Sequence, residues 1–145
     1  MSEIFTYPFK YRRVAPWYKP WAKWKYEVTE EYCDPCGIYD HEAEIKSGFA
    51  VLAELHTDGM LWISQGYRWD GASGPTIDTA NSMRASCVHD VLFQMMRECG
   101  LPQDCFHMAN ERFHEILLED GMHPVRARVW FECVERFSRK HARPK

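Results

Sequence analysis

Residues 65–95 read QGYRWDGASGPTIDTANSMRASCVHDVLFQM, and this stretch decides the fold. Gln65 to Trp69 reads as the end of a strand, and Gly71, Gly74 and Pro75 then set a turn-rich loop around Asp70. Beyond Asn81 the period changes: Ala85, Val88, Leu92, Met95 and Cys99 recur at steps of three and four, the apolar face of one helix. That helix carries His89 beside Asp90. An acidic loop next to a helical His-Asp pair can hold a hard cation and a general base together, so the chemistry is expected here.

Working back toward the N-terminus, Phe49–Leu55 and Leu61–Tyr67 are apolar runs of strand length, and Asp58-Gly59 between them suits a tight hairpin turn. Cys33-Asp34-Pro35-Cys36, followed by Asp40 and His41, has the spacing of half a zinc site. No second C-x-x-C exists, so a reduced turn around Pro35 and Gly37 is the favoured reading and structural zinc the lesser one. Phe5, Tyr7, Phe9 and Tyr11 alternate as an edge strand restricted by Pro8. Trp17, Trp21 and Trp24 follow at steps of four and three, a helical turn opened by Pro20. Aromatics interleaved there with lysine and arginine could stack bases or sit at lipid headgroups, but no nucleic-acid motif accompanies them and packing explains the rings equally well.

Toward the C-terminus, Gly100-Leu101-Pro102 stops the first helix. A second helix runs through Phe106, Ala109, Phe113 and Leu117, and a third starts at Pro124 with Val125, Val129, Cys133 and Phe137 expected inward. The expected architecture is α+β: a small antiparallel sheet followed by three helices, the first two an antiparallel pair. One domain spans residues 1–145, with strands and loops over 1–75, helices over 76–140 and a basic tail at 141–145.

A chain of 145 residues buries a full core without disulfide or metal, and its six cysteines, four of them in helix-patterned segments, read as reduced thiols. The formal charge of -3 is uneven. Residues 1–26 hold six lysines and arginines against Glu3, and residues 136–145 hold five with no acidic residue, leaving an acidic middle. Solvated tails are the favoured account; self-association or an anionic partner is the other. No run approaches the roughly 18 apolar residues of a membrane span, and no signal-peptide order opens the chain.

Two helices joined by a short link pack antiparallel, so residues equidistant from Gly100 face each other. His89 lies eleven before it and Asn110 ten after, on the apolar stripe of its own helix, where a polar side chain needs a partner. Asp90 points about 100° away, toward the Asp70 loop, where two carboxylates and the carbonyls of residues 71–74 make a calcium-type site. Against this stands a plain reading in which Asp70 makes an Asx turn, Asp90 pairs with Arg84 or Arg97, and His89 is a satisfied core histidine. A rival site, His107, Glu111 and His114 on one side of the second helix, could bind zinc but lacks a fourth ligand; a solvated polar face is the stronger reading there.

Trp69-Asp70-Gly71-Ala72-Ser73 followed by the helix from Ala85 through His89-Asp90 to Phe93 resembles an uncharacterised phage and prophage family with a D-x-A-S-x-P loop and an H-D-x-L-Y helix, over roughly 61–128. The loop-helix pair also resembles the active region of secretory calcium-dependent phospholipases. That resemblance implies Asp70 and Asp90 as calcium ligands, His89 as the base and Asn110 at the position of an orienting Asp. It departs at Ala72 and Ser86, where that family has cysteines, at Phe93 for a Tyr, and at Asn110, whose neutral amide can hold an imidazole but not stabilise its cation by charge. The expectation is a phage-encoded, calcium-assisted ester hydrolase, active or degenerate, acting on a lipid or cell-envelope substrate. The alternative is a virion or assembly component that uses the fold as a packing module and its N-terminus for partners, in the host cytoplasm or the particle.

Overall fold

Alternation of buried and exposed residues carries the chain through strands as far as residue 69, and a helical period takes over at residue 83, an α+β fold. The structure, a computed structural model, describes residues 8–16, 18, 24–71 and 80–144. Its contacts form two units, Met1–Trp69 and Asp70–Lys145. The expected change from strands to helices at 75/76, and the readings placed on Phe5, Tyr7, Trp17 and Trp21, fall outside the described residues.

The first unit holds two antiparallel sheets. In one, β1 (Tyr11–Arg13), β2 (Tyr26–Val28) and β7 (Arg68–Trp69) lie in the order β1-β2-β7. Glu27 receives Arg12 at 3.1 Å and Arg68 at 2.7 Å, so one carboxylate crosses all three strands. The rings of Phe9, Tyr11 and Tyr26 all approach Trp69, itself 0% exposed, at centroid distances of 5.6 to 5.9 Å. Offset and edge-on rings of this kind contribute about 1 kcal/mol per pair beyond their buried area.

The other sheet runs β3-β6-β5-β4, from β3 (Tyr32–Tyr39), β4 (Ala43–Ser47), β5 (Ala50–Leu55) and β6 (Asp58–Ile63). The β5–β6 hairpin is the expected one, with its reversal shifted: Asp58 and Gly59 belong to β6, and Gly59 turns at φ 82° while donating to the His56 carbonyl at 3.1 Å. Cys33-Asp34-Pro35-Cys36 is not a turn. It is the body of β3, paired from Tyr32↔Ile63 to Pro35↔Met60, with the register shifting between Pro35 and Tyr39. Proline is tolerated on this edge strand, and Gly37 at φ 79° absorbs the irregularity. Neither Cys33 nor Cys36 is in a disulfide and both are buried, Cys36 donating to the Gly59 carbonyl at 3.4 Å; burial first, then Asp34, Asp58 and Glu31, pushes the Cys33 thiol up to about 11.

The second unit is helical: α1 (Met83–Glu98), a short 3-10 turn (Gln103–Cys105), α2 (Phe106–Glu119), α3 (Pro124–Phe137) and a fourth helix of four residues, α4 (Arg139–Ala142). The stripes expected on α1 and α2 are buried, Ala85, Val88, Leu92 and Met95 at 0% and Phe106, Ala109, Phe113 and Leu117 at 3% or less, except Cys99, which caps the end of α1 and is half-buried. The stripe expected on α3 faces the other way. Val125, Val129 and Phe137 are 66%, 51% and 70% exposed, while Ala127 and Trp130 are buried. Both faces of α3 are apolar in sequence, and the indole of Trp130, stacked on Phe113 at 6.0 Å, fills the space between helices better than Val129.

Candidate active site on the paired helices

Gly100, at φ 77°, ends α1, with the next amide, Leu101, turning back to the Met95 carbonyl at 3.1 Å. The chain then returns as α2. Contacts nest outward from this link: Phe93 against Phe106 at 5.5 Å, His89 with Asn110, and Arg84 with Glu119 and Asp120 at 2.7 and 2.9 Å. Nested pairs of this order define an antiparallel helix pair, here fastened at its far end by charge.

His89 and Asn110 sit in its middle. Nε2 of His89 donates to Oδ1 of Asn110 at 2.7 Å, which fixes the tautomer and leaves the lone pair on Nδ1. No acceptor or donor among the described residues takes Nδ1. Phe93 lies 4.0 Å and Phe113 5.0 Å from the imidazole, so aromatic carbon flanks the ring that the amide orients. His89 is 8% exposed and Asn110 0%. Burial lowers the His89 pKa from 6.5 to about 4; the Asn110 hydrogen bond opposes this and His141 adds to it. At neutral pH the imidazole is uncharged, and its Nδ1 lone pair is a weaker base than that of an exposed histidine.

Asp90, one residue on, turns from this dyad toward Asp70 and is hydrogen-bonded to it. Its pKa is raised well above 3.8, first by burial and then by the charge of Asp70 and that hydrogen bond, with Arg97 opposing. Two carboxylates in contact repel each other, and a positive partner between them relieves that repulsion. A hard dication is one such partner, and the pair therefore fits the acidic part of a calcium site. The loop carbonyls expected to complete it, at 72–74, lie outside the described residues. Among the described residues no three His, Cys, Asp or Glu side chains converge for a metal.

His107, Glu111 and His114 form a polar face of α2, the favoured reading of that segment. The two ring nitrogens of His107 are taken up by carboxylates, Nε2 lying 2.8 Å from Glu111 and Nδ1 2.8 Å from Glu135, while His114 packs on Phe131 at 5.1 Å. The Glu111 contact lies within α2, and the Glu135 contact joins α2 to α3. The sequence names Phe93 only as a departure from a family Tyr and Phe113 only as part of the α2 stripe, although steps of four from His89 and three from Asn110 place both beside the dyad. Arg97, which the plain reading offers as a partner for Asp90, lies seven residues past it on the same face of α1 and acts on it by charge, whereas Arg84 pairs with Glu119 and Asp120.

The geometry is that of an α+β protein whose helix pair holds an oriented, neutral histidine next to two carboxyl groups in contact, Asp70 and Asp90. Set against known protein families, curated proteins and solved structures, the chain matches none.

Proposed function

We propose that the protein is a phage-encoded, calcium-assisted ester hydrolase with His89 as general base. The observation carrying this reading is the 2.7 Å bond from His89 Nε2 to Asn110 Oδ1, which directs the basic Nδ1 away from the amide while Asp90 meets Asp70 next door. His89 Nδ1 takes a proton from water as the water oxygen bonds to the ester carbon, and returns that proton to the leaving alkoxide. Asn110 holds the imidazole in the required tautomer throughout. Phe93 and Phe113 keep bulk water from the ring. Calcium, held by Asp70 and Asp90, would supply polarisation of the ester carbonyl. The amide in place of a carboxylate cannot stabilise the imidazolium by charge, so turnover is expected to be slow. The loop and helix motifs support a phage origin and, with it, residence in the host cytoplasm.

The test is hydrolysis of a short-chain chromogenic ester and of mixed phospholipid micelles, with calcium and with chelator. Calcium-dependent release, abolished in His89→Ala and in Asp90→Asn, supports the reading; release unaffected by His89→Ala sinks it. Particle incorporation with His89→Ala harmless would instead place the chain among assembly components.

A further inference from the structure

The apolar stripe of α3 is on the outside, and what surrounds it is positive. Between residues 125 and 143 the chain carries six arginines and lysines against two glutamates. Both glutamates are already engaged: Glu132 with Arg128 at 2.8 Å and Glu135 with His107 at 2.8 Å. Arg136, Arg139, Lys140 and Arg143 have no carboxylate partner among the described residues, and all four are exposed. Phe137, 70% exposed, stands among them.

This cationic end is held in place beside the site. Arg97, on the Asp90 face of α1, donates to the His141 carbonyl at 2.9 Å, and Gln103 donates to the Ala142 carbonyl at 2.7 Å. Ala142 is 0% exposed, so the backbone of α4 is anchored while its basic side chains point outward. The Arg139 guanidinium lies 4.4 Å over Phe106, which contacts Phe93, which contacts His89. A run of three ring contacts thus joins the imidazole to the first cation of α4.

We infer that the outer face of α3, continued by α4, docks on an anionic lipid surface, with Val125, Val129 and Phe137 entering the headgroup layer and Arg136, Lys140 and Arg143 meeting its phosphates. The match is one of shape and charge. A helix with an exposed apolar stripe flanked by arginine and lysine lies in a lipid interface, and exposed point charges suit a diffuse anionic plane better than a single bound anion. A second copy of the chain is a poorer occupant, since the same cationic flank would face itself across a two-fold contact. The inference rests on the hydrolase reading only for what the surface delivers, an ester within an anionic amphiphile.

The experiment is sedimentation of the full chain with vesicles of phosphatidylcholine alone and of phosphatidylcholine mixed with phosphatidylglycerol, in low and high salt. Binding to the anionic vesicles only, weakened by salt, is expected. The triple variant Arg136→Glu/Lys140→Glu/Arg143→Glu should bind at least about a hundredfold more weakly, each basic residue near such a surface counting for about fivefold. Phe137→Ser should lose about tenfold. All these side chains are exposed, and circular dichroism checks that the variants fold. His89→Ala should bind as the parent does, so binding without hydrolysis removes the hydrolase and leaves the docking face, and hydrolysis of a soluble ester without binding does the reverse. Equal partition onto both vesicle types, no partition onto either, competition by millimolar inorganic phosphate at constant ionic strength, or self-association abolished by Phe137→Ser each overturns the inference.

Discussion

Replacing His89 by glutamine isolates one pH dependence of stability. Glutamine can still donate to Asn110 Oδ1, as His89 Nε2 does at 2.7 Å, but cannot bind a proton. In the folded chain His89 titrates at about 4, held below 6.5 by burial against the opposing Asn110 bond, with His141 contributing. Between these values the unfolded chain binds a proton that the folded chain refuses, so stability is present in full above 6.5 and falls as pH drops toward 4. The interval corresponds to about 3 kcal/mol. Asp90 acts with the opposite sign: its raised pKa stabilises the fold at low pH, and that contribution is lost as pH rises through the folded value. The parent's total slope therefore mixes the two, whereas the difference between parent and His89→Gln does not. Urea unfolding in chelator at pH 7.5, 6.5, 5.5 and 4.5 should show His89→Gln gaining on the parent by about 2–3 kcal/mol across the series. Parallel curves would mean that the imidazole protonates as readily in the folded chain as in the unfolded one, and that it is not the neutral, oriented base described here.

At pH 7 without calcium, Asp90→Asn should raise the melting temperature by a few degrees, because the amide can keep a hydrogen bond to Asp70 and removes the charge that burial opposes. Calcium-induced stabilisation of the parent should vanish in the same variant, and calorimetry in both conditions checks it. Gly59→Ala should cost about 1–3 kcal/mol in chemical denaturation, since Gly59 lies at φ 82° and an added Cβ would stand 2.8 Å from the Tyr39 ring. On α3, Val129→Asp should change stability by less than about 0.5 kcal/mol while Trp130→Ala costs about 3–5 kcal/mol, and the reverse order would put the stripe back in the core.

The helix pair was legible because the stripe of α2 is one-sided, that of α1 runs unbroken along a helix buried on most of its sides, and Gly100 between them fixes which residues meet. On α3 the same reasoning chose the wrong face. Val125, Val129, Cys133 and Phe137 make a stripe of four-residue steps, but Ala127 and Trp130 offer a second apolar side, and period alone cannot say which side the rest of the unit covers. In β3, Pro35 and Gly37 read as a turn because local chemistry favours one; pairing with β6 overrides it and spends the irregularity as a register shift. The site was more legible than the sheets for a physical reason. Asn110 stands on an apolar stripe, and burying an amide there demands a partner, so its position pointed to His89 before any coordinate did. Only half of that amide is satisfied: Oδ1 receives His89, while Nδ2 is buried with no partner among the described residues. A leucine would fill the same space between Phe106 and Phe113 without an orphaned donor. What the asparagine contributes in return is a single bond that fixes the imidazole's tautomer and direction, and a core position given over to that bond argues for a residue kept for chemistry rather than for packing.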